Sequence, residues 1–188
     1  MAKIVKWLIG AIALCAPLTV LAGETCYIAD SDSGELKFSG VAEGTPFRGQ
    51  FGEFSVRLCL EGENLSTADI EVTVKTGSAD VGNRDGNQAL KDGEFFAVDR
   101  FPEASWTSTD IVADGDGYRA EGELSIKTVS SPQAVAMSLD TGSDPWELSG
   151  HAEIMRLDWN VGTGEFEDTD FIRDRVDLRF QLELQPEN

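Results

Sequence analysis

Histidine is nearly absent from this chain: His151 is the only one in 188 residues. A multi-histidine metal site is therefore excluded, and so is a histidine-based triad if His151 faces outward, as the alternation around it predicts. Basic residues are also scarce, with 15 Lys and Arg against 34 Asp and Glu, for a formal net charge of -19. Such a surface repels nucleic acid and anionic membrane faces, and nucleic acid is excluded as a partner. Acidity spread along the chain in this way chiefly confers solubility. Cysteine is limited to three residues, none in a CxxC pair, so thiol redox catalysis is not indicated.

Long apolar runs are missing too, with one exception at the N-terminus. Met1 to Lys6 carries Lys3 and Lys6 and no acid, Trp7 to Leu21 is apolar or small, and Val20-Leu21-Ala22 offers a small-x-small cleavage site. That order is a secretory signal peptide, residues 1–22, cleaved after Ala22. The run is short of the roughly 20 residues a membrane span needs, which argues against a retained anchor. Cys15 follows Leu14 rather than a small residue, so it does not read as a lipidation site. The mature domain, 23–188, would then be a single unit of net charge -21, with 13 basic and 34 acidic residues. It retains Cys26 and Cys59. In an oxidising compartment such a pair is expected to form a disulfide, the alternative being two buried thiols.

What the chain has in quantity is period-2 alternation. Val176, Leu178, Phe180, Leu182 and Leu184 alternate with Asp177, Arg179, Gln181 and Glu183. The same pattern places Tyr118, Ala120, Gly122, Leu124 and Ile126 on one face. It does so again for Ile70, Val72 and Val74, for Val135, Met137 and Leu139, for Leu148, Gly150, Ala152 and Ile154, and for Leu36, Phe38 and Gly40. These are strands with one wet face. His151 falls with Ser149 and Glu153 on the outward side. Phe47, Gly49 and Phe51 share one parity and Phe54, Val56, Leu58 and Leu60 the other. A one-residue bulge at Gly52-Glu53 would return both sets to one face, as in a strand that bends around a barrel. Helical signal is confined to 87–98, where Ala89, Leu90, Phe95 and Phe96 would mark one short helix. About eight evenly spaced strands make an all-β domain, either a sandwich or an up-and-down barrel. Inward glycines and alanines favour a cavity, unless they seat the aromatics Trp106, Trp146 and Trp159 in a packed sandwich.

Motifs for chemistry do not appear. There is no G-x-S-x-G, phosphate loop or dinucleotide fingerprint. Asn83, Asp85, Asn87 and Glu94 have calcium-loop spacing, but Gln88 stands where that loop needs glycine, so a hydrogen-bonded turn is expected and no metal. Arg156 and Asp158 read as an ion pair near a barrel end, or as contacts for a ligand headgroup.

Several stretches carry a family resemblance. They are Tyr27-Ile28-Ala29-Asp30 with Ser33, then Phe38, and Gly49-x-Phe51-x-x-Phe54. Phe95-Phe96-Ala97-Val98-Asp99-Arg100-Phe101-Pro102 and Ala104-Ser105-Trp106-Thr107-Ser108-Thr109 follow. Tyr118-x-x-x-Gly122-x-Leu124-Ser125-Ile126 and Arg156-Leu157-Asp158-Trp159-Asn160-Val161-Gly162 complete the set. In this order and spacing the chain resembles the YceI-like polyisoprenoid-binding family of bacterial periplasmic proteins. It departs from the family after Ile126, where Lys127-Thr128-Val129 replaces a usual glycine and threonine, and in its two cysteines.

The resemblance implies an extended, lipocalin-like, eight-stranded antiparallel β-barrel with one short helix and a long internal tunnel. The implied ligand is an isoprenoid lipid or isoprenoid quinone, bound in the periplasm without a cofactor. Parity then nominates the tunnel lining: Phe38, Phe51, Phe54, Val72, Trp106, Leu124, Ile126, Met137, Ile154, Val176, Leu178 and Phe180. Two other readings stand beside a carrier, namely an interaction or stress-protective module with a packed barrel core and an enzyme acting on a bound lipid or quinone. The enzyme would need a polar constellation facing inward, which the inward sets lack. The sequence admits a homodimer without specifying one.

Overall fold

The computed structural model describes residues 23–187; the expected signal peptide and its cleavage site lie outside the described residues. Eleven strands and one helix follow in order: β1 (Glu24–Asp30), β2 (Gly34–Ala42), β3 (Thr45–Phe51), β4 (Phe54–Glu61), β5 (Asp69–Lys75), β6 (Ala79–Asp80), α1 (Arg84–Lys91), β7 (Glu103–Asp114), β8 (Gly117–Ile126), β9 (Val129–Asp140), β10 (Trp146–Met155) and β11 (Arg175–Pro186). All pairings between them are antiparallel.

Eleven strands make eight staves because three staves are broken. β1 and β2 are one bent strand: β11 pairs with β2 through Asp177–Leu182 and with β1 through Gln185 and Pro186. The break is a turn at Asp30 to Ser33, where the Ser33 hydroxyl accepts from the Asp30 amide at 2.9 Å. β3 and β4 are the next stave, broken at Gly52-Glu53, and β5 and β6 the third. β7 to β11 follow singly and β11 closes back on β1 and β2. The barrel is closed, which removes the exposed edges an open sheet would leave.

The phase slip between β3 and β4 works as its pattern predicts. Phe47 and Phe51 before the break, and Phe54 and Val56 after it, all face the interior. The Gly52 amide finds the Ser78 carbonyl at 3.1 Å and so remains satisfied outside the ladder. The helix sits earlier than expected. It spans Arg84–Lys91, because Asn83 caps it by accepting from the Gly86 amide at 2.8 Å. It ends at Asp92-Gly93, so Phe95 and Phe96 lie in the turns that follow rather than on the helix.

The two barrel ends differ. One is filled by Leu58, Leu60, Leu65, Ile70, Leu148 and Leu184, each almost fully buried, and Tyr27 stacks on Trp146 there with ring centroids 4.7 Å apart. Cys26 lies opposite Cys59 in the β1–β4 ladder near this end, and the two form a disulfide. The opposite end is covered by α1, the turns of 92–102 and the segment 156–174. Backbone bonds sew these covers together. The Gly162 and Thr163 amides donate to the Glu94 carbonyl at 2.7 and 2.9 Å, and Arg173 donates to the Val41 carbonyl at 2.9 Å.

Candidate functional site

Between the packed end and the covered end runs a cavity of about 440 Å³, within the range of sites that enclose a small molecule. All twelve residues nominated by parity line it: Phe38, Phe51, Phe54, Val72, Trp106, Leu124, Ile126, Met137, Ile154, Val176, Leu178 and Phe180. They come from β2, β3, β4, β5, β7, β8, β9, β10 and β11, so the lining runs around almost the whole circumference. Sequence reasoning missed the residues supplied by the covers. Leu90 from α1, Phe95 and Phe96 from the turns after it, and Phe166 and Ile172 from the 156–174 segment all face the cavity. No alternation marks them, because they are not on strands.

The hollow has a local cause. Rings on the inner wall lie over glycines of neighbouring strands. A Cβ on Gly122 would sit 2.4 Å from the Trp106 ring, one on Gly150 2.5 Å from Phe180, and one on Gly49 2.3 Å from Phe38. Each glycine lets a large ring lie back against the wall instead of projecting across the lumen. Trp106 is fixed further by its indole N–H, which donates to the Gln133 carbonyl at 3.0 Å. The small inward residues therefore do seat aromatics, as the sandwich alternative supposed, yet inside a closed barrel and with space remaining. Of the other two tryptophans among the described residues, Trp146 belongs to the packed end. Trp159 donates to the Leu124 carbonyl at 2.9 Å under the cover.

One wall is incompletely laddered. β9 and β10 pair only from Glu147–Asp140 to His151–Ala136, although both strands continue toward the covered end. Beyond that point the Gln133 side chain bridges them. Its Nε2 donates to the Ala134 carbonyl at 2.8 Å and the Glu153 carbonyl at 3.1 Å, standing in for the missing ladder bonds.

Charge enters the lining at Arg156 alone. The expected ion pair with Asp158 does not form. Arg156 is 4% exposed and Asp158 faces solvent. The guanidinium donates instead to five backbone carbonyls: Arg173 through Nε (3.2 Å), Val161 and Gly162 through Nη1 (both 2.8 Å), and Phe166 and Ile172 through Nη2 (2.6 and 2.7 Å). Five donors meet five acceptors, the full capacity of an arginine. Burial pulls its pKa below the ordinary value, with the nearby Asp174 carboxylate opposing that shift. Arg156 thus folds the 156–174 cover over the barrel end, because its acceptors lie on both limbs of that segment.

The remaining candidates resolve as structure. Asn87 accepts from the Val81 amide at 2.8 Å and donates to Asp80 at 2.7 Å, so the calcium-like spacing is a capped turn. Among the described residues one cluster has metal-ligating proximity, Glu24 with Cys26 and Cys59, and both of its sulfurs are in the disulfide. His151 is exposed on the outer face, next to Arg179 and Lys37 in register. At the departure after Ile126, Lys127 occupies a left-handed conformation (φ 56°) in a two-residue hairpin turn, the position that favours glycine. Its ammonium compensates by donating to the Asn160 carbonyl at 2.6 Å.

The family model described as the YceI-like domain matches residues 27–184, reaching from within β1 to within β11. The chain belongs to the YceI-like family. A UPF0312 protein of Pectobacterium atrosepticum is 32% identical over 121 residues, covering 61% of this chain and 63% of the relative. Protein YceI of Salmonella arizonae is 29% identical over the same length and shares. The chain therefore matches a little under two thirds of these relatives' length. Among solved structures, Burkholderia cenocepacia BcnA superposes with a TM-score of 0.77 at 25% identity, covering 84% of this chain and 99% of BcnA. A polyisoprenoid-binding domain from Saccharophagus degradans, implicated in plant cell wall breakdown, superposes with a TM-score of 0.60 at 11% identity, covering 88% and 100%. At that identity it speaks to the fold alone.

Proposed function

We propose that this YceI-like barrel is a periplasmic carrier that holds the hydrocarbon of an isoprenoid lipid or quinone in its cavity, and that it is a binding protein rather than an enzyme. The observation that carries this reading is the cavity itself, a space inside the barrel lined from every stave almost entirely by carbon. Burial of each ligand methylene in such a space contributes about 0.8 kcal/mol, so the stretch of chain that the cavity holds can bind with no polar anchor. Chemistry on a bound ligand would need a free polar constellation facing it. The single charged residue there is committed to the backbone of the cover. The Saccharophagus domain, described as polyisoprenoid-binding, shares this fold, and the proposal extends that ligand class to this chain. Export follows from the signal-like N-terminus, with cleavage after Ala22 and a disulfide suited to an oxidising compartment.

The test is native mass spectrometry of the mature protein purified from periplasm, followed by solvent extraction and lipid identification. A one-to-one adduct with an isoprenoid fragmentation series is the expected result. An apo mass that stays unchanged after incubation with polyprenols and quinones would refute the carrier and favour the interaction module.

A further inference from the structure

We propose that the cavity takes an uncharged isoprenoid, a polyprenol or a quinone, and excludes the phosphorylated form of the same chain. The inference rests on the carrier reading and narrows its ligand class by headgroup. A phosphate drawn into the barrel would lose its hydration and would need a cation or several free donors in return. Arg156 is the one charged side chain of the lining, and each of its five N–H groups already serves a backbone carbonyl. Turning it toward a phosphate would strip carbonyls of the cover from their donor.

Of the neutral donors in the lining, two are engaged, and the other two, the Asn83 amide and the Ser105 hydroxyl, carry no charge to offset a phosphate. Gln133 uses its side-chain amide on Ala134 and Glu153, and the Thr76 hydroxyl donates to the Phe101 carbonyl at 2.8 Å. Further cations lie on or near the cover, at Arg84, Lys91, Arg100, Lys127 and Arg173, but none lines the cavity. Lys127 donates to Asn160 and Gly93, and the Arg100 guanidinium sits over the Phe101 ring, 5.4 Å from its centroid.

The outer surface of the cover is acidic as well. The cover carries Glu165, Glu167, Asp168 and Asp170 within six residues, all exposed. A neutral headgroup loses far less hydration than a phosphate and meets no repulsion, and its chain gains the same apolar burial as the phosphorylated one.

The experiment is a titration of delipidated mature protein with decaprenol and with decaprenyl monophosphate, each presented in neutral detergent. Trp106 fluorescence in the lining and native mass spectrometry give the readout. Decaprenol is expected to saturate one site, with the monophosphate weaker by about thirtyfold or more, and the gap should persist in high salt because it arises from desolvation rather than long-range repulsion. Monophosphate binding within threefold of the alcohol, or tighter, would overturn the inference and leave the carrier reading standing. Binding of neither chain would overturn both.

Discussion

Replacing Arg156 tests whether one buried guanidinium holds the cover on the barrel. Five hydrogen bonds from a charged donor to neutral carbonyls, at roughly 1.5–3 kcal/mol each, give a gross interaction of about 7–15 kcal/mol. Desolvating the guanidinium offsets several of these. Arg156→Met keeps most of the apolar stem and strands five carbonyls, each costing about 1–3 kcal/mol if it stays dry. The acceptors Phe166, Ile172 and Arg173 lie near the surface and can recover water. The expected net loss is therefore about 3–5 kcal/mol, from stranded Val161 and Gly162 and partial penalties elsewhere. Arg156→Lys offers three donors rather than five in a fork, and is expected to cost about 2 kcal/mol less than the Met variant. Urea denaturation gives the totals. Amide exchange at Val161 and Ile172, both bonded within the segment, separates local opening of the cover from global destabilisation. Losses below about 1 kcal/mol for both variants, or a Lys variant no better than Met, would refute the account of Arg156 as the cover's anchor.

Four further outcomes are expected. Ala152→Trp fills part of the lumen and should weaken isoprenoid binding by about 100-fold or more, equivalent to a few excluded methylenes, while raising the thermal unfolding temperature. A variant that binds normally would place the ligand elsewhere. Gly122→Ala drives a methyl into the Trp106 ring and the Thr107 carbonyl, at 2.4 and 2.6 Å, and should cost about 1–3 kcal/mol by denaturant unfolding, with a shifted tryptophan emission. The double variant Cys26→Ala, Cys59→Ala releases a cross-link spanning 33 residues and should lose about 3–4 kcal/mol on the chain-entropy account; a loss under 1 would contradict it. Hydrogen bonds from the Gly82 amide and the Asn87 side chain lower the Asp80 pKa. Its contribution is thus present above the ordinary aspartate range and is lost as pH falls through the lower folded value, so the protection factor of the Gly82 amide, relative to its intrinsic exchange rate, should fall only in acid below about pH 4. A protection factor unchanged down to about pH 2 would remove Asp80 from that role.

How much of this was legible in the sequence depends on what each pattern encodes. Alternation reports which face of a strand is dry, and a closed barrel has one interior for every stave to face. That is why twelve residues from nine strands converge on one cavity, and why the slip at Gly52-Glu53 could be read as a bulge. The helix was misplaced because apolar spacing at Ala89, Leu90, Phe95 and Phe96 mixes two structures, a capped helix and the turns after it. The signal that could have found the true start was Asn83, a capping residue three positions before a glycine amide it can reach. Arg156 was misassigned for a related reason. A nearby acid in sequence suggests a pair, but the five carbonyls that hold this guanidinium come from residues 161 to 173, and backbone acceptors have no sequence signature.

Parity also could not say whether the interior was full, since facing inward and filling the interior are different properties. The deciding contacts are between strands: Gly122 beneath Trp106, Gly150 beneath Phe180, Gly49 beneath Phe38. In each pair the register brings a glycine to the neighbouring stave at the place where a ring must fold back. A one-residue slip of any of these ladders would put the ring against a polar outward residue and turn the glycine out. The hollow therefore depends on register as much as on composition. The same aromatics could have filled a packed sandwich. Laid against glycine in a closed barrel, they form the wall of a space instead. Filling that space from the wall side, one ring at a time, separates a carrier from a packed module: lumen-filling substitutions should raise the stability of a hollow barrel where they remove ligand binding, whereas in a filled core they would cost stability through overpacking.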